Sequence, residues 1–316
     1  MLGRQMGKAL AFDTPILTTD GFKPMKDIKI GDYVFGVDGK ETQVINKTDV
    51  QLDRECYKIT FIHGEEIVAD ANHEWLIEYN SKSPSIKTTK ELLNISKNSN
   101  HIKIKKNDCL DFKEKEIPFR PYDFGLWIGD GFSRLSKATV HIDDFNEYKK
   151  HISITEGKFR KNSTTCVDFK FNDISSRELK EHNLILNKHI PKEYIFNSKE
   201  IRLELLRGLM DSDGTVEKNG TCRFYQSDKN IINDVRLLLS TLGIKTTLRT
   251  KETGYKLSYI ICFVCNDFDV FKLPRKLERQ YKNKSNIKNR YNYIRHIEKV
   301  ESIPVYCIEV DNDDHM

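Results

Sequence analysis

Asp123-Phe-Gly-Leu-Trp-Ile-Gly-Asp-Gly131 and Leu206-Arg-Gly-Leu-Met-Asp-Ser-Asp-Gly214 are two versions of one pattern, about eighty residues apart in the chain. Each carries small residues four apart, Gly125 with Gly129 and Gly208 with Ser212. On helices, that spacing lets two backbones approach closely. Each segment ends in Asp-Gly, and a glycine just past a helix suits a left-handed cap. The acids Asp130 and Asp213 fall at the helix C-terminal ends, which are already partly negative. The same unfavourable placement, made twice at an expected helix–helix contact, calls for a compensating cation. Two carboxylates brought together at helix ends are the makings of a divalent-metal site.

These segments resemble the paired LAGLIDADG motifs of homing endonucleases. The resemblance implies that Asp130 and Asp213 bind the catalytic Mg²⁺, with Gly129 and Ser212 beside them in the metal site. The first motif departs from the pattern by having Ile128 where the second has Asp211. The run Asn187-Lys-His-Ile-Pro191 matches the place where family members carry a catalytic lysine, which makes Lys188 the candidate. Lys276, in Leu273-Pro-Arg-Lys276, is its expected counterpart near the second acid. The competing reading is that both motifs serve only to pack helices.

The chain has 316 residues, enough for two domains, and a formal net charge of +5. The charge is unevenly placed. Between Lys272 and Arg295 stand nine Lys or Arg and a single acid, Glu278, with Tyr281, Tyr291 and Tyr293 interleaved. Such a stretch fits phosphate contact, against the plainer reading of a solvated charged face. The seven cysteines show no disulfide-framework spacing, no apolar run is long enough to span a membrane, and there is no signal peptide. A reducing cytoplasm is the natural expectation, in a bacterial host cell with the gene carried by a phage. Cys262 and Cys265 form an isolated CxxC in a run that reads as a buried strand, not as a zinc site.

The N-terminal third reads as short strands. Apolar runs at Pro15–Leu17, Asp32–Phe35, Tyr57–Phe61 and Glu66–Val68 alternate with turn signals such as Asp20-Gly and Asp38-Gly. From about residue 118 the pattern becomes mixed. Arg202 to Met210 and Asn230 to Leu242 carry apolar residues at helical spacing. Strand character returns at Ser302–Val310. An α+β insertion therefore interrupts an all-β module.

The flanking segments resemble the splicing domain of inteins, the Hint fold shared with hedgehog autoprocessing domains. Ala9-Leu-Ala-Phe-Asp-Thr-Pro-Ile-Leu-Thr-Thr-Asp-Gly21 matches the first intein block. Glu66-Ile-Val-Ala-Asp-Ala-Asn-His-Glu-Trp-Leu76 matches the second, whose hallmark histidine is His73. Pro304-Val-Tyr-Cys-Ile-Glu-Val310, with His315, matches the penultimate block. The resemblances together imply four segments. Residues 1–8 are N-extein, 9–117 the first part of the Hint domain, 118–287 the endonuclease and 288–316 the second part of the Hint domain. The endonuclease is expected as two pseudo-symmetric αββαββα-like halves whose sheets saddle double-stranded DNA.

Inteins normally begin with Cys or Ser. Here Ala9 stands first and has no nucleophile, and Asp70 replaces the usual Thr three residues before the block histidine. Two explanations stay open. Ala9 is an engineered inactivation, or the chain resembles the intein class that lacks a first nucleophile. That class is marked by Trp two residues after the histidine and Cys in the penultimate block, and Trp75 and Cys307 fit it. In that class the resemblance implies direct attack by Cys307 on the N-terminal scissile bond, with His73 protonating the leaving nitrogen. Taken singly, Cys307, Trp75 and His73 read as core residues; their joint placement favours chemistry.

The leading Gly3-Arg-Gln-Met-Gly-Lys8 resembles the phosphate-binding loop of phage large-terminase ATPases, interrupted after Lys8 where a Ser or Thr normally follows. The segment ending His-Asn that closes an intein is not found before Met316, so either a truncation or the larger piece of a split intein, completed in trans, is expected. The rival readings are an insertion that binds DNA without cutting it, a hedgehog-type domain, and a terminase fragment.

Overall fold

The computed structural model describes residues 9–62, 64–79, 83–96, 102–253, 256–281 and 291–311. It divides the chain into two compact units, one built from Met1–Asp111 with Ile287–Met316, the other from Phe112–Asn286. Lys8 and His315 lie outside the described residues, as do Lys282, Lys284, Lys288 and Arg290 of the basic stretch.

The first unit is almost wholly antiparallel β-structure. One sheet runs, in spatial order, Val305–Tyr306, Leu10–Ala11, Glu66–Asp70, Cys56–Phe61, Tyr291–Val300, Lys103–Lys105, Glu74–Glu78 and Ser85–Thr88. A second runs Ile308–Val310, Glu41–Lys47, Tyr33–Phe35, Pro15–Thr18 and Gly21–Pro24. Alternation explains the sidedness: in Cys56–Phe61, Tyr57, Ile59 and Phe61 go inward, against Ile77, Ile294 and Ile297. One helix, α1 (Thr89–Ser96), follows the edge strand and buries Leu92. The segments before and after the insertion are interleaved. Leu10 pairs with Tyr306 on one side and Ala69 on the other, and Lys103–Lys105 pairs with Tyr291–Tyr293.

The second unit contains two similar halves. The first holds α2 (Pro121–Asp130), α3 (Ile142–Tyr148), α4 (Ser176–Glu181) and α5 (Lys192–Ile195) with a three-stranded sheet. That sheet runs Lys137–His141, Cys166–Lys170, Lys158–Phe159. The second half holds α6 (Lys199–Ser212), α7 (Lys229–Thr241) and α8 (Pro274–Gln280) with a four-stranded sheet. Its strands run Gly214–Val216, Cys222–Gln226, Lys256–Phe263, Thr246–Thr253. The second half realises the expected helix-and-hairpin order. The first falls short of it by one strand, reduced to a single bridge between Gly131 and Ala138.

Helix α7 shows why these segments fold as they do. Ile231, Ile232, Val235, Leu238 and Leu239 are buried, a stripe at helical spacing, and Asp228 caps its N-terminus through the Asn230 N–H. The second unit begins at Phe112, ahead of the change of pattern at about residue 118. Phe112 is buried beneath Phe196 and the Arg202 guanidinium, and the Lys115 N–H donates to Asn197.

Candidate functional site

Helices α2 and α6 pack along their motif faces. A Cβ on Gly125 would sit 2.5 Å from the Leu205 carbonyl oxygen, and one on Gly208 would collide with that of Tyr122. No other residue allows this approach. A Cβ on Gly129 would likewise strike the Ser212 hydroxyl, so the two helices are in contact up to their C-terminal ends. The expected left-handed caps are not formed. Gly131 has φ −71° and ψ 149°, and Gly214 is not among the glycines of positive φ. Both are glycine because the chain turns back tightly over its own helix. A side chain at Gly131 would strike the Trp127 carbonyl, and one at Gly214 the Met210 carbonyl.

The compensating cations expected at the helix ends include two lysines. Lys188 Nζ donates to the carbonyls of Ile128 at 2.9 Å, Gly129 at 3.5 Å and Gly131 at 2.5 Å. Lys276 Nζ donates to those of Met210 at 3.0 Å, Asp211 at 2.6 Å and Gly214 at 2.7 Å. Ile128 and Asp211 occupy the same motif position, as do Gly131 and Gly214. Two lysines from unrelated sequence contexts therefore reach equivalent carbonyls, and each offsets the negative end of its helix. Burial pulls each ammonium down to about 8, while the carboxylates of Asp130 and Asp213 help hold the proton on Lys188 and those of Asp211, Asp144 and Asp130 on Lys276. Lys188 also lies over the Trp127 ring, at 5.0 Å.

Asp130 and Asp213 are half-buried at these ends. Burial, reinforced by the charge of Asp213, pushes Asp130 up to about 7; burial pushes Asp213 up to about 6. Gln226 Nε2 donates to Asp213 at 3.2 Å. Ser212 Oγ turns back to the Gly208 and Leu209 carbonyls of its own helix. Two carboxylates that repel each other in a partly dry site fit a divalent cation, and their oxygens suit a hard one. Among the described residues no three His, Cys, Asp or Glu side chains converge on such an ion, so its remaining ligands must come from water and a substrate phosphate. Cys262 lies on the strand Lys256–Phe263 and Cys265 just past its end, and both are buried.

The basic stretch is partly spent on internal contacts. Lys272 pairs with Glu204 at 2.6 Å, Arg275 forms a double contact with Asp144, and Lys276 is buried. Arg279 and Arg295 are exposed. Sequence spacing could not separate these groups, because their partners lie on distant segments.

In the β unit, Ala9, Cys56, Val305 and Cys307 form one buried cluster. The Asp70 N–H donates to the Ala9 carbonyl at 3.2 Å, placing the second block beside the first residue of the first block. Asp70 is buried and accepts from Arg54 at 2.6 Å and 3.2 Å; its Oδ1 has no hydrogen-bond partner among the described residues. The His73 ring meets Trp75 edge-on at 4.6 Å, and Trp75 Nε1 donates to Thr89 Oγ1, which is hydrogen-bonded to the His73 carbonyl. Thr89 thus ties Trp75 to the histidine backbone, a link that no spacing announced. The Cys307 backbone is held on both sides by Thr48, whose N–H donates to the Cys307 carbonyl and whose Oγ1 accepts from the Cys307 N–H.

Comparison with known proteins gives three findings. Residues 200–300 match the family model of the LAGLIDADG-like domain. The chain is 30% identical to the replicative DNA helicase DnaB of Mycobacterium intracellulare over 98% of its own length, and spans 57% of that relative. Among solved structures it is similar to the Msm DnaB1 intein splicing domain bound with zinc (42% identity, TM-score 0.24, covering 26% of this chain and 61% of that one). It is also similar to I-DmoI in complex with DNA and Ca (15% identity, TM-score 0.35, covering 51% and 95%). The chain carries a LAGLIDADG-like domain over residues 200–300, within an insertion that interrupts an all-β unit whose strands from before and after it pair with one another.

Proposed function

We propose that the insertion is a homing endonuclease that cuts double-stranded DNA with a divalent metal ion, and that the β module is the splicing domain of an intein. The observation that carries the first reading is the twofold-repeated helix end, with an acid and a capping lysine on each side: Asp130 with Lys188, Asp213 with Lys276. Asp130 and Asp213 hold the metal, Mg²⁺ by the hardness of its oxygen donors, with Gly129 and Ser212 at their side. When bound, that ion supplies charge to the attacking and leaving oxygens of phosphodiester hydrolysis. Lys188 and Lys276 keep the helix ends neutral and add positive charge where a phosphate enters.

In the splicing reaction Cys307 Sγ, as the thiolate, attacks the Lys8 carbonyl carbon. The Lys8–Ala9 bond breaks, the Ala9 nitrogen takes its proton from His73, and the acyl group is left as a thioester on Cys307. The burial of Ala9 with Cys307 supports this reading, and the Asp70 N–H steadies Ala9. Trp75 fixes the histidine ring, while His315 belongs to the penultimate block. The leading residues are host sequence from an ATPase loop. Phage large terminase is the reading their own residues support, and a replicative helicase is the reading supported by the relative's name. The protein acts in a bacterial cytoplasm.

The test of the nuclease is a supercoiled plasmid carrying the uninterrupted host gene, with Mg²⁺ and then chelator. Cleavage is expected, and Asp130→Asn or Asp213→Asn is expected to remove it while binding in Ca²⁺ persists. Wild-type cleavage in both variants would remove the site. Binding without any cleavage on the verified target leaves the alternative, a DNA-binding insertion that no longer cuts.

A further inference from the structure

The two motif helices end alike but are not equivalent, because the position held by Ile128 in the first is held by Asp211 in the second. Asp211 is 1% exposed. Its carboxylate accepts from the Tyr122 hydroxyl of α2 at 2.8 Å, the Lys272 N–H at 2.9 Å and the Leu273 N–H at 3.3 Å. Leu273 is the residue that caps α8, and the Lys276 N–H donates back to its carbonyl. Lys276 then returns its ammonium to the Asp211 carbonyl itself. The Tyr148 hydroxyl reaches that same carbonyl at 3.2 Å. The result is a closed ring: carboxylate to helix cap, cap to lysine, lysine to the backbone of the residue that bears the carboxylate.

We propose that Asp211 is the positioning residue for Lys276. It fixes the cap of α8 so that the ammonium lands on the end of α6, and Ile128, at the equivalent position of the other half, has no carboxylate to form such a latch. The strand cut with the help of Lys276 therefore depends on Asp211, and the strand served by Lys188 does not. This rests on the endonuclease reading above and names how one half of that site is held.

The physical reason is one of donors and acceptors. Three donors converge on the carboxylate, two of them backbone N–H groups, and removing it takes away the acceptor each now uses. An asparagine presents one acceptor oxygen and one NH₂, and the NH₂ opposes a donor. An isoleucine, the residue the first half uses, presents none. Either change frees the Lys272–Leu273 turn from α6.

Two measurements on the full chain test this. The first is the rate of lysine modification by an amine-reactive acylating reagent at pH 8, read residue by residue by mass spectrometry. In Asp211→Asn, modification of Lys276 is expected to rise by about tenfold while Lys188 changes by less than about twofold, because only one anchor is lost. The second is strand-resolved cleavage of an end-labelled duplex carrying the host-gene site. One strand is expected to slow by about ten- to a hundredfold, with the nicked intermediate accumulating and the other strand unchanged. Tyr122→Phe, which removes one donor and keeps the ring, gives the same bias in smaller measure if Asp211→Asn does not fold. Equal exposure of both lysines, or equal slowing of both strands, overturns the proposal. If the wild-type protein cuts neither strand, the endonuclease reading fails, and the labelling ratio still decides whether Asp211 holds Lys276.

Discussion

Asp123 opens the first motif, and the corresponding residue of the second is Leu206. Its side chain is 0% exposed, and neither carboxylate oxygen has a hydrogen-bond partner among the described residues. Burial pushes it from an ordinary 3.8 up to about 6, opposed by Arg120 and assisted by Asp173. The sign follows from proton binding. Between the two values the folded protein holds a proton that the unfolded chain has released, so stability falls as pH rises from about 4 to about 6 and stays low above that. A shift of two units corresponds to about 3 kcal/mol. The charge sits in the first turn of α2, where the helix dipole returns up to about 1 kcal/mol. Asp123→Leu, copying Leu206, should therefore stabilise the insertion by roughly 2 kcal/mol at pH 8, worth about 4–8 °C in Tm for a domain of this size. At pH 4 the gain should nearly vanish. Thermal unfolding of both proteins across pH 4–8 measures it. An equal gain at every pH would refute the reasoning, since packing alone would then account for the change.

Three further outcomes are expected. Asp130→Asn and Asp213→Asn should raise Tm at pH 8 while abolishing cleavage, because each removes a carboxylate whose ionisation burial opposes; calorimetry and the plasmid assay read both sides of that trade. Gly208→Ala should cost about 2–4 kcal/mol by driving the α2 and α6 backbones apart, seen as a lower urea midpoint. Cys307→Ala should abolish the thioester, measured as loss of hydroxylamine-induced release of residues 1–8, with the β-sheet circular dichroism unchanged.

Much of this was legible in the chain. The strands of the β module and helices α2, α6 and α7 follow from alternation, helical spacing and turn residues, all of which are local. The pairing of Asp130 with Asp213 could be read because one pattern was written twice. What escaped was whatever depends on contacts between distant segments. The glycines after the motifs suggested a positive φ, whereas they are there to clear the helix end. The missing strand of the first half could not be foreseen, since residues 131–136 carry no signal that separates a strand from a single bridge. Asp211 was visible only as a departure from Ile128; its latch needs Tyr122 and Leu273, which lie 89 and 62 residues away. The lysine-rich stretch looked uniform, although Lys272, Arg275 and Lys276 are held by Glu204, Asp144 and the end of α6.

The pairing of Lys105 with Tyr291 has a kinetic meaning. Those residues are adjacent in an antiparallel ladder, yet the chain between them runs through the whole insertion. Closing so long an unstructured loop costs roughly 3 kcal/mol more entropy than closing a five-residue turn. Once the insertion has folded, its two ends are no longer random and much of that cost is removed. A folded insertion thus acts as an intramolecular clamp for the β module, lowering the entropic cost of closing the sheet.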